Sequence, residues 1–98
     1  MDPLRELLVA VAARGDTVTY DQLRAELGLE GDLVPVLRAL AVAEDDAGRG
    51  LLTAVVVRAD TRRPGAGWFR LAAERGREIG DADAAWRRER ERLRAEHT

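Results

Sequence analysis

All 16 basic residues of this 98-residue chain are arginines, and three of them lie in Arg58-Ala59-Asp60-Thr61-Arg62-Arg63-Pro64-Gly65-Ala66-Gly67-Trp68. A guanidinium offers a planar fork of donors that matches phosphate and carboxylate oxygens, so Arg58, Arg62, Arg63 and the nearby Arg70 form a candidate clamp for nucleic-acid phosphates. The same four side chains suit an acidic protein patch, including the first half of this chain. A plainer reading has Pro64, Gly65 and Gly67 shaping a tight hairpin, with Trp68 packed inside and the arginines solvated. As a phosphate loop, Gly65-Ala66-Gly67 lacks the Lys-Ser/Thr that would follow it.

Catalytic chemistry has little to work with. The chain holds no Cys and no Ser, and its one His, His97, lies a single residue from the end. Asp45 and Asp46 are neighbours in sequence rather than opposed across a cleft, which is the wrong arrangement for an acid and base pair. The expectation is therefore no enzyme, no catalytic, cofactor-binding or metal-binding residue, no cofactor and no small-molecule substrate.

Charge is distributed unevenly, although the total is only −2. Residues 1–48 sum to −6, residues 49–77 to +5 and residues 78–98 to −1. Such asymmetry bears on partners and association rather than on fold. Hydrophobic residues make up 46% of the chain, but 17 of them are alanine, so the 13 Leu and 9 Val must build one modest core. The longest apolar run, Leu7 to Ala13, is far too short to span a bilayer, and Met1-Asp2-Pro3 lacks the basic start of a signal peptide. A cytoplasmic protein without membrane contact is expected.

The elements that must carry these residues follow from caps and periodicity. Asp2 can cap a helix opened by Pro3, with Leu4, Leu7, Leu8 and Val11 on one face and Gly15 at its end. Thr17-Val18-Thr19 is β-prone, and Thr19 with Gln22 forms a capping box that starts a second helix, stopped by Gly28. Asp32 can cap a third, with Pro35 in its first turn and a buried stripe of Leu33, Val36, Leu37 and Leu40. The β-branched run Leu51 to Val57 reads as a strand and Trp68-Phe69 as its return, which makes a hairpin. From Leu71 a helix is expected through Ile79, with a break near Gly76. Asp81 then caps a last helix reaching Ala95.

Three helices, a β-prone segment after the first and a hairpin after the third are the order of a winged helix-turn-helix. Thr19-Tyr20-Asp21-Gln22-Leu23-Arg24-Ala25-Glu26-Leu27-Gly28-Leu29 resembles the second helix and turn of bacterial winged-helix domains. The later segment, with Pro64-Gly65-Ala66-Gly67-Trp68-Phe69 before Leu71-Ala72, resembles small bacterial proteins of no assigned activity. The resemblance implies an α+β winged-helix domain over residues 1–70 and a C-terminal helical extension, 71–98, packed on that domain or on a partner. It is neutral on function, because winged helices serve both as DNA readers and as protein-docking modules.

The third helix favours docking. With its stripe inward, the opposite face would present Val34, Arg38 and Val42, and then Asp45 and Asp46 near its end. That face offers little to base edges and repels phosphates. Trp86 and Leu93 share one face of the last helix and would pin it across its own domain or onto a second subunit. The expected function is thus a non-enzymatic protein-interaction module, in which Val34, Arg38, Val42, Trp86 and Leu93 make the contacts, with another protein or within a homodimer. The alternative is a small DNA-binding regulator that holds duplex DNA through Arg58, Arg62, Arg63 and Arg70.

Overall fold

The computed structural model describes residues 2–98. Helix α1 (Pro3–Ala13) begins where Asp2 Oδ1 accepts the N–H groups of Leu4 at 3.1 Å and Arg5 at 3.3 Å, beside a proline that has no N–H to satisfy. It buries Leu4, Leu8, Val11 and Ala12. A two-residue strand, β1 (Val18–Thr19), leads into α2 (Tyr20–Leu27) through the expected capping box: Gln22 N–H donates to Thr19 Oγ1 at 3.1 Å and Thr19 N–H to Gln22 Oε1 at 2.8 Å. Gly28 closes α2 in the left-handed region, at φ 64°.

In α3 (Val34–Asp46) the buried positions are Leu37, Ala41 and Glu44, continuing from a buried Leu33. This stripe is rotated from the expected one. Val36 is 47% exposed rather than inward, and Val42, expected outward, is half-buried against the core. The rotation carries Glu44 inward, toward arginines from two other parts of the chain.

The winged helix is not formed. The described residues are mostly helical, with five α-helices and, among them, only a two-stranded parallel sheet. Every residue from Leu51 to Val57 is buried, but Leu52–Val55 close into a 3-10 turn and only β2 (Val56–Val57) is extended, pairing with β1 in the register Val18 to Val56 and Thr19 to Val57. A run buried on all sides has no alternation, so strand and turn are indistinguishable from its pattern. The expected return strand is instead the start of α4 (Ala66–Glu74). Its buried residues, Trp68, Leu71 and Ala72, are spaced by three and four, whereas a strand with Trp68 inward would have put Arg70 on the buried face.

After Gly76, at φ 83°, residues 77–79 are not helical. Asp81 Oδ1 then accepts the N–H of Ala84 at 3.1 Å and opens α5 (Ala82–His97). This helix packs along α1 and over the 3-10 turn, burying Ala85, Glu89 and Leu93. Leu93 belongs to the same continuous core as Leu8, Leu23, Leu51 and Trp68, and α4 runs straight through residues 70 and 71, where a domain and an extension had been divided. Among the described residues no helix is long and apolar enough to cross a membrane.

Candidate interaction surface

The fate of the charges decides which side chains remain free to meet a partner. Glu44, only 2% exposed, accepts two complete guanidinium forks: Arg5 through Nε at 3.1 Å and Nη2 at 3.0 Å, and Arg49 through Nε at 3.1 Å and Nη2 at 2.8 Å. Hydrogen bonds from Arg49 first, and from Arg5, hold its carboxyl well below the usual range, at about 2, against the opposing effect of burial. Glu89, 5% exposed, accepts the Leu51 N–H at 2.7 Å and the fork of Arg77 at 3.2 and 2.9 Å. Arg77 also reaches Asp45, which Arg75 approaches at 2.6 Å, while Arg75 meets Asp46 as well. The hydrogen bond from Arg77 is the main reason that the Asp45 carboxyl titrates low.

The acidic end of α3 is therefore neutralised from within. Asp45, expected on an outward face, is half-buried against the arginines that follow α4, whereas Asp46 is exposed as expected and is met there by Arg75. The basic middle segment and the acidic first half meet inside one molecule, as carboxylates and guanidinium forks bring them together.

The arginine loop is also partly committed. Arg58 N–H groups donate to Asp60 at 3.0 and 2.9 Å, and Arg63 pairs with Asp83 of α5 while lying 5.6 Å from the centre of the Phe69 ring. The loop folds back on itself through Arg58 N–H to Arg63 C=O at 2.9 Å, with Arg62 at a positive φ of 56°. Among the described residues, Arg62 in the loop and Arg70 on α4 are the two of the four candidate phosphate-binding arginines without a carboxylate partner.

The proposed protein contacts fall into two groups. Leu93 is fully buried in its own core, and Trp86 is half-buried, donates its indole N–H to Ala54 C=O at 2.8 Å and carries Arg90 over its ring at 4.8 Å. Neither side chain is presented to a second molecule. On α3, Val34 is 57% exposed and Arg38 is exposed and bound to Glu74 at 2.8 Å. Val42 lies against the core, and Val36, expected inward, joins Val34 as an exposed side chain instead.

Two apolar clefts flank the exposed valines. One, of about 260 Å³, lies between α3, the 3-10 turn and α4, with Val34 on its border and Tyr20, Thr53, Trp68 and Leu71 among its walls. Burial raises the Tyr20 hydroxyl above its ordinary pKa, so this wall is neutral. The other, more open, lies against Leu27, Leu29, Leu40 and Val36. No family model, curated protein or solved structure matches this chain, and none supports the winged-helix resemblance.

Proposed function

We propose that this protein is a non-enzymatic interaction module that binds another protein through the first half of α3, with Val34, Val36 and Arg38 at the contact. The observation that supports this reading is that Val34 and Val36 are the large apolar side chains left exposed among the described residues. They border separate apolar clefts on opposite flanks of α3, about 200° apart around the helix, so a partner that straddles the helix across Pro35, Arg38 and Ala39 would bury both. The non-enzymatic part rests on chemistry: the buried carboxylates Glu44 and Glu89 are each held by arginine, and the chain has neither Ser nor Cys.

A duplex DNA partner is the weaker reading, because Arg58 and Arg63 already hold carboxylates. A dimer through Trp86 and Leu93 would require α5 to leave its own core. A photo-crosslinking amino acid at position 36, with position 91 on α5 as control, tests the protein-binding reading in cells that produce the chain. A discrete protein adduct is expected from position 36, absent from position 91 and lost when Val34→Asp is added. Adducts that disappear on nuclease treatment, or adducts indifferent to position, would sink the reading.

A further inference from the structure

We propose that the cleft between α3, the 3-10 turn and α4 binds a small amphiphilic carboxylate, an acid whose apolar body has about eight heavy atoms. The size comes from the cavity, whose 260 Å³ equals the volume of roughly nine waters in the liquid. Its walls of Leu37, Val56, Trp68 and Leu71 accept hydrocarbon.

An unused polar group points to an oxygen-bearing occupant. Thr53 and Trp68 both line the cleft, and they are only 6% and 8% exposed. The Trp68 indole N–H is buried with no acceptor. Buried donors are almost always paired in folded proteins, so an unpaired one on a residue that lines this cavity calls for an acceptor oxygen from outside the chain. Charge then selects the class. Arg70 stands on the cleft without a carboxylate partner, Arg38 joins it although Glu74 holds one of its nitrogens, and no acidic residue is among the lining groups. A cationic border around an apolar interior fits a carboxylate on a short hydrocarbon, and repels a cation of the same shape.

This inference stands independently of the protein-binding reading, although Val34 and Arg38 border both sites. The full chain, titrated with octanoate, octanamide and octylammonium, provides the test, read by NMR at the two indole N–H signals and assigned with Trp86→Phe. Octanoate is expected to move the Trp68 signal saturably, octanamide to bind about tenfold more weakly or worse, and octylammonium not to bind. Arg70→Glu, at an exposed position, should weaken octanoate by about tenfold or more with the melting temperature unchanged, whereas Arg87→Glu on α5 should leave it intact. Equal binding of acid and amide, indifference to Arg70→Glu, or no saturable shift of Trp68 would overturn the proposal. If octanoate fails while the adduct from position 36 forms, the cleft serves a protein partner alone and the ligand proposal falls without the other reading.

Discussion

Glu44 exchanges nearly all of its water for two arginines, and that exchange makes it the residue on which acid stability should turn. Its folded pKa, about 2, lies below the ordinary value of 4.5, so the carboxylate contributes stability that is complete above 4.5 and is lost as pH falls toward 2. At 1.36 kcal/mol per pH unit the difference amounts to about 3 kcal/mol, reduced toward about 2 because Arg5 and Arg49 are themselves partly in water. Urea unfolding at pH 7, 4.5 and 3 should show the wild type weakening over the last interval. Glu44→Gln should be less stable at pH 7 by a similar amount and should flatten that dependence without abolishing it, since Asp45 is also held low by Arg77. Unchanged stability of the variant at pH 7 would mean that the two arginines gain as much from water as from Glu44.

Helix α5 owes its seat to one residue of the chain opposite. A Cβ at Gly50 would lie 2.9 Å from Leu93 Cδ2, 3.2 Å from Leu93 Cγ and 3.4 Å from Glu89 Oε2, so the backbone before the 3-10 turn can approach α5 this closely only as glycine. The Gly50 N–H also donates to Glu96 of the same helix at 2.9 Å. Gly50→Ala should push α5 outward and cost about 1 to 3 kcal/mol, measurable as a lowered melting temperature and as faster hydrogen exchange in α5. A neutral or stabilising substitution would contradict the close packing. The face of α3 has its own test: Leu37→Ala should cost about 2 to 5 kcal/mol and Val36→Ala no more than about 0.5. Equal losses would mean that the helix is rotated back to the stripe of Leu33, Val36, Leu37 and Leu40.

Across the molecule, opposite charges that the chain keeps in separate segments are interleaved in space. The Cα radius of gyration, 12.3 Å, is that of one compact unit of this length, near the roughly 13 Å expected for 100 residues. Arg5, Arg49, Arg75 and Arg77 close around the acids Glu44, Asp45, Asp46 and Glu89, and only the remainder is available outside. Four free arginines would neutralise three or four phosphates and give a log–log salt slope of about −3 to −4. With Arg58 and Arg63 engaged, any DNA binding should be weak, with a slope near about −2 that Arg62→Glu and Arg70→Glu together remove. Fluorescence anisotropy of a labelled duplex at several salt concentrations measures it. Tight binding that survives the double change would make DNA the primary partner.

The helix starts at Asp2, Thr19 with Gln22, and Asp81, and the stop at Gly28, were legible in the sequence because a cap is a bond between groups two or three residues apart. The exposure of Val34 and the coarse charge asymmetry were legible for the same local reason. Trp68-Phe69 was not, since two aromatic residues fit a strand or a helix alike until Leu71 and Ala72 are seen to share the buried face of Trp68. Nor was the fully buried run from Leu51 to Val57, where burial on every side erases the period that separates a strand from a turn. Segment charges of −6 and +5 were plain in the sequence, yet they fit two molecules meeting as well as one molecule closing. Only the tertiary structure decided that, by setting Arg75 and Arg77 against Asp45, because pairs so far apart along the chain are made by packing and leave no local pattern in the sequence.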